Sequence, residues 1–206
     1  MSGKVVRFDR KDIIKNKLID AVGKILAEKG FRDLEINRVA KEAEVDKKLI
    51  YKYFDGLPEL VTEFSETVDF WPDVEELMGS EPEKVFNMGP EEQLASFFKE
   101  FIKALRKRPL TQEILAWEMI ERNEFSDRME DRRIRTALEY FEKLDKLPYD
   151  QDLTAIVLLM AGAVNFLIVK SRINRTIGGV DLVSNEGWER IDQGIDLLFK
   201  GIFDEK

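Results

Sequence analysis

From residue 14 onward the apolar positions recur three, four and seven apart, the spacing that keeps one face of an α-helix dry. Ile14, Leu18, Ala21, Val22 and Ile25 form the first stripe, and Lys29 with Gly30 makes a favourable helix ending. Ile36, Val39, Ala40 and Ala43 form a second, in which the small alanines let a neighbouring helix approach closely. Glu44 and Val45 make a turn, and a third helix starts at Asp46, whose carboxylate accepts from free first-turn amides. At about 100° per residue, Leu49, Ile50, Tyr53 and Phe54 share one arc of that helix. Lys48, Tyr51 and Lys52 fall on the opposite arc, with Lys47 at the border, so one face packs and the other is basic.

The remainder reads as helices separated by short breaks. A helix over 59–71 is stopped by Pro72, and a looser segment runs through Gly79, Ser80, Pro82, Gly89 and Pro90. Leu94, Phe97, Phe98, Phe101, Ile102 and Leu105 then mark a core helix ending at Pro109. Further helical stretches cover 111–122, 126–146 and 152–173, broken at Asn123 and Pro148, and Gly178 with Gly179 marks a loop. The expected fold is all-α, about nine helices, with no internal repeat.

Residues 153–169 are the most hydrophobic run, at the lower length limit for spanning a bilayer. Thr154 and Asn165 interrupt it, its centre is the small trio Ala161, Gly162 and Ala163, and no other segment is comparably apolar. A position between protein surfaces, its own body and a partner subunit, is the expected one, and no membrane partner is implied. Asn165 is open to two roles, a register residue in a subunit interface or an amide satisfied within one subunit. The last helix carries Trp188, Ile191, Ile195, Leu198 and Ile202 three and four apart, as in a packing seam, with Gly187, Gly194 and Gly201 beside it. The last two long helices, through Asn165 and this seam, are therefore expected to form a four-helix homodimer interface.

Charge sharpens the division. The chain is acidic, net −8, yet residues 1–62 hold 14 Lys plus Arg against 11 Asp plus Glu, and the rest 19 against 30. A basic head on an acidic body suits a protein that meets DNA only through its head. Lys4, Arg7 and Arg10 precede the first clear helix, as a mobile arm toward the DNA backbone or as a disordered start. Met1 to Arg10 has no signal-peptide core and there is no cysteine, so neither secretion nor a disulfide framework is indicated. With no histidine or cysteine, the usual zinc and iron–sulfur ligands and the common catalytic base and thiol are missing; no cofactor or metal is expected.

The segment ILAEKGFRDLEINRVAKEAEVDKKLIYKYFDGLPEL resembles the DNA-binding region of the TetR family of transcriptional repressors. The resemblance rests on Gly30 and Phe31, the isoleucine-led second helix, Ala40, Ala43, Val45 and the ending Ile50, Tyr51, Lys52, Tyr53, Phe54, and covers roughly residues 12–62. It implies a helix-turn-helix head at 1–62 on a helical effector-binding and dimerisation body at 63–206. It also implies DNA contacts from Asn37, Arg38, Lys47, Lys48, Tyr51 and Lys52. Glu44 stands where the family usually has the turn glycine, Leu57 where a lysine often meets a phosphate, and Tyr53 where a histidine is common.

The function these readings lead to is a cytoplasmic, non-enzymatic transcriptional regulator that binds double-stranded DNA as a homodimer. The resemblance adds a palindromic operator, repression and release by a small molecule held in the body. Pocket linings are expected among Phe97, Phe101, Trp117, Phe141, Met160 and Phe166, with Trp71 and Met119 of the same adaptable type. Glu118 and Glu121 are open to contact with a cationic effector or to a solvated face. Two rivals stand beside this reading: a helical enzyme using paired carboxylates such as Glu118 and Glu121, and an adaptor whose head has lost sequence-specific DNA binding.

Overall fold

The computed structural model describes residues 9–121, 123–144 and 152–203. Helix α1 (Arg10–Lys29) is followed by a 3₁₀ turn (Phe31–Asp33), α2 (Ile36–Glu42), α3 (Lys48–Phe54) and α4 (Leu57–Ser65). The apolar stripes close on each other: Leu18, Val22, Leu26, Val39, Ile50 and Leu60 are all fully buried. Lys4 and Arg7 lie outside the described residues, and Arg10 is exposed at the first turn of α1.

The body comprises α5 (Val74–Met78), α6 (Pro82–Asn87), α7 (Pro90–Arg106), α8 (Pro109–Glu118), α9 (Glu124–Glu142), α10 (Leu153–Ser171) and α11 (Asn185–Phe203). Proline in the first turn starts α4, α6, α7 and α8, where its missing N–H is one of those a helix leaves unpaired anyway. Helix α7 is the centre of the body: Leu94, Phe98, Ile102 and Leu105 are buried, and α5, α8, α10 and α11 pack around it. Phe98 stacks on Phe199 of α11 with ring centroids 5.7 Å apart.

The fold is all-α, with eleven α-helices among the described residues against the expected nine, because the looser stretch after Pro72 forms two short helices, α5 and α6. The helix expected over 111–122 ends at Glu118, and the one over 126–146 is α9; Arg122, residues 145 and 146 and Pro148 lie outside the described residues. The loop at Gly178 and Gly179 is the turn of a small antiparallel hairpin, pairing Thr176 with Asp181 and Ile177 with Val180. Both glycines have positive φ, 54° and 79°, as a tight two-residue hairpin turn requires.

Candidate nucleic-acid interface and body cavity

The turn between α2 and α3 is closed by the Val45 N–H donating to the Ala40 carbonyl at 3.0 Å, and Asp46 Oδ1 accepts from the Lys48 N–H at 2.8 Å. Glu44, at the position where the resembled family usually has the turn glycine, adopts a left-handed backbone with φ 56°. Ile50 and Phe54 are buried beneath α3, while Lys47, Lys48, Tyr51 and Lys52 are exposed, Tyr51 at 56%. Asn37 and Arg38 are exposed at the start of α2 and join the same surface: Lys47 Nζ donates to Asn37 Oδ1 at 3.2 Å. Arg38 is paired with Asp33, and Lys52 Nζ lies 5.5 Å from the centroid of the Tyr53 ring. Leu57, by contrast, is turned into the core at the start of α4.

The body holds a cavity of about 400 Å³ walled by α7, α9 and α10. Phe97, Phe101 and Phe141 line it, joined by Trp71; Phe97 contacts Phe101 and Phe141 ring to ring at 6.0 and 4.9 Å. Three other expected linings are placed elsewhere. Trp117 packs against the end of α1, Met160 is half-buried against the core, and Phe166 is 47% exposed with Lys170 Nζ 5.8 Å from its ring. These corrections share a cause: composition marks adaptable residues, and helix rotation decides which of them meet.

Arg133, which sequence reasoning passed over as one of many charges on α9, is the cavity's cation. Its guanidinium lies 5.1 Å from the Trp71 ring centroid and 5.5 Å from that of Phe70. Nη2 pairs with both oxygens of Glu118 at 2.8 and 2.9 Å, and Nη1 with Glu130 at 3.0 Å. Burial raises the Glu118 carboxyl above its usual range, with the Arg133 charge opposing. A lone arginine in a mixed-charge helix carries no periodic signal for such a place.

Glu121 is bound to the head. Its Oε2 accepts from the backbone N–H of Phe31 at 2.9 Å, and Oε1 lies 3.5 Å from Arg32 Nε. Trp117 Nε1 donates to the Ala27 carbonyl at 3.3 Å, with its ring against Gly30. The C-terminal end of α8 thus holds the end of α1 by backbone contacts, three residues from the carboxylate that holds Arg133.

The seam on α11 is largely internal to the subunit. Trp188 and Ile195 are each 3% exposed, and Ile191 and Ile202 are half-buried. The Trp188 indole donates to the Leu182 carbonyl at 2.8 Å and lies under Arg106. Leu198 alone of that set faces outward, beside Leu197. On α10 the outward residues are Leu158, Leu159 and Phe166, and a Cβ on Gly162, Gly194 or Gly201 would meet nothing within 4 Å. Asn165 turns instead into the cavity wall, where its buried Oδ1 has no hydrogen-bond partner. Helix α10, mean hydropathy 2.1 over its most apolar stretch, is long and apolar enough to cross a membrane, yet only 17% of that stretch is buried.

A three-helix unit whose last helix is exposed and basic, set on a helical body, defines a helix-turn-helix DNA-binding regulator. Residues 18–63 match the family model of the bacterial regulatory proteins of the tetR family. The whole fold is similar to FadR from Bacillus subtilis, solved with stearoyl-CoA (TM-score 0.63, 16% identity, 89% of this chain and 96% of that one). It is also similar to a TetR-like regulator from Rhodococcus sp. RHA1 (TM-score 0.60, 18% identity, 97% of this chain and 100% of that one). NalD, the secondary repressor of the MexAB-OprM multidrug efflux pump in Pseudomonas aeruginosa, matches likewise (TM-score 0.60, 18% identity, 90% and 97%). No curated protein is significantly similar in sequence. The head thus carries a DNA-binding segment that matches the tetR family, and the chain as a whole has the fold of the TetR-like regulators.

Proposed function

We propose that this protein is a cytoplasmic, non-enzymatic repressor that binds a palindromic operator as a homodimer and leaves it when a small molecule occupies the body cavity. The carrying observation is the exposed group Lys47, Lys48, Tyr51 and Lys52 on a helix whose other face is anchored by buried Ile50 and Phe54. Such a helix enters the major groove as a rigid unit, its ammonium groups displacing counterions from phosphates. Asn37 and Arg38 extend the contact at the start of α2. The head spans 1–62 and the body 63–206, continuous through α4.

The outward apolar residues of α10 and α11 support pairing of two subunits, since a strip of this kind is normally covered. The three open glycines would let helix backbones approach. A two-fold dimer then sets the spacing of the two heads, and repression is sensitive to that spacing. Coupling runs along α8: Arg133 in the cavity wall grips Glu118, and Trp117 and Glu121 on the same helical end grip the head. A ligand that shifts Arg133 shifts the segment that positions α1.

Selection of genomic fragments by the purified protein, followed by binding to the enriched sequence over a range of salt, tests this directly. An enriched palindrome with a steep salt dependence and a dimeric sedimentation coefficient is expected. Absence of enrichment from ligand-free protein would instead leave a protein-binding adaptor.

A further inference from the structure

Two stripes run along α10. Leu153, Thr154, Val157, Leu158, Ala161 and Asn165 line the cavity. Ala155, Leu158, Leu159, Gly162, Ala163 and Phe166, again three and four apart, are exposed and carry no charge. Leu158 belongs to both, since it lines the cavity and is 72% exposed. On the α9 side the lining residues Ile134 and Leu138 are themselves 49% and 55% exposed. The cavity therefore opens to the outside between α9 and α10 through a rim of large apolar side chains, and leaving such a rim to water is the costly alternative to covering it.

Resting on the readings of this protein as a homodimer and of this cavity as its effector site, we propose that α10 of a second copy of the chain covers the cavity mouth, so that each effector site is complete only in the dimer. Gly162 is the tenth of the 19 residues of α10, and a Cβ there would meet nothing within 4 Å. A helix crossing its own two-fold copy at this point brings two uncharged stripes together at their middles, with no side chain to hold the backbones apart. Leu158 is about one turn away, about 6 Å along the axis. A helix with its side chains is about 10–12 Å across, so a copy centred on Gly162 lies over Leu158. The available area suffices. Helices α10 and α11, 19 residues each and both packed on α7, are about 28 Å long and about 10 Å wide. Together they present about 570 Å² of outer face per subunit and about 1,100 Å² for the pair, against the roughly 1,000 Å² of a specific interface. Ligand and partner then cover one another's apolar surface, and each must tighten the other's binding by the same factor.

N-phenyl-1-naphthylamine, an uncharged apolar fluorophore, serves as the probe with the full-length protein. Gly162→Leu fills open space within the subunit and replaces a glycine inside a helix, so the fold is retained while the crossing is blocked. Leu159→Glu, which puts a charge on the same stripe at a position outside the cavity lining, is a second variant expected to act alike. In sedimentation equilibrium the native chain is expected as a dimer, and either variant should dissociate at least about tenfold more readily. The probe should bind the monomeric variants about fivefold or more weakly than it binds the native dimer. Equal probe affinity in dimer and monomer would overturn the cover while leaving the cavity as an effector site. Native dimer strength in both variants would overturn the crossing, and with it the proposal, while leaving the homodimer intact. A native chain that stays monomeric would overturn both, and its flotation with phosphatidylcholine vesicles would assign the stripe to a lipid surface instead. Absence of saturable probe binding by the native dimer would overturn the cavity as an effector site for apolar molecules and the proposal with it.

Discussion

Glu121, three residues past the end of α8, accepts a hydrogen bond from the backbone N–H of Phe31 at 2.9 Å, ninety residues away in the chain. With the carboxylate largely buried, this N–H has few alternatives. Glu121→Leu should therefore cost about 1–3 kcal/mol in urea denaturation, whereas Glu121→Gln, which keeps an acceptor, should lose less than about half of that. Equal losses from both would show that the side chain matters only by its charge toward Arg32.

Gly30 is irreplaceable at the same junction. Its φ of 76° with ψ near −172° lies in a region essentially reserved for glycine, and a Cβ would stand 2.8 Å from the Trp117 ring. Gly30→Ala should destabilise by about 3 kcal/mol. Trp117→Ala should relieve only the steric share, so a double variant recovering full stability would contradict a backbone contribution.

On the exposed basic face of α3, Lys48→Ala and Lys52→Ala should each weaken operator binding if that face meets DNA as proposed. A side chain that touches only phosphate should lower the slope of log affinity against log salt by about one and affect all sequences alike. If Lys48 reads a base, its loss relaxes preference at one operator position instead. Native affinity from both variants would refute the assignment of this face.

Glu44 holds a left-handed backbone that a side chain disfavours, so Glu44→Gly should raise stability by about 0.5–1 kcal/mol, net of the added freedom of the unfolded chain. It also removes a negative charge from the turn beside the lysine face, and operator affinity should rise modestly at low salt. Lower stability in thermal unfolding would mean that the glutamate makes a compensating contact.

Tyr140 is fully buried and its hydroxyl has no hydrogen-bond partner among the described residues. Burial, aided by the charge of Glu100, pushes its phenol above the ordinary value near 10. The native state then keeps a proton that the unfolded chain releases above about pH 10, so stability falls as pH rises beyond that point. Tyr140→Phe should remove that part of the alkaline slope and be neutral or slightly stabilising at pH 7. An unchanged slope would count against this account.

What could be read from the sequence divides by the range of the interaction. The inner and outer arcs of α3 are local, since Ile50 and Phe54 against Lys48 and Tyr51 follow from helical rotation within seven residues. The start at Asp46 is equally local. The α11 stripe was legible as a stripe, but periodicity does not say which surface it meets: Trp188 and Ile195 pack within the subunit, and Leu198 is left outside. Asn165 shows the same limit, being visible as an odd amide in an apolar run without revealing that it turns into a cavity. Arg133 was illegible, because its meaning comes from Glu118 and Trp71, brought to it only by the tertiary fold.

The chain's three tryptophans sit at three different places: Trp71 in the cavity wall, Trp117 against Gly30 at the head, and Trp188 beneath Arg106. The protein therefore carries its own optical reporters. Emission from single-tryptophan versions would report the cavity wall, the head junction and the α11 packing separately, without an attached dye, and the order in which the three signals change on adding a candidate ligand would test whether the cavity and the head are coupled as proposed.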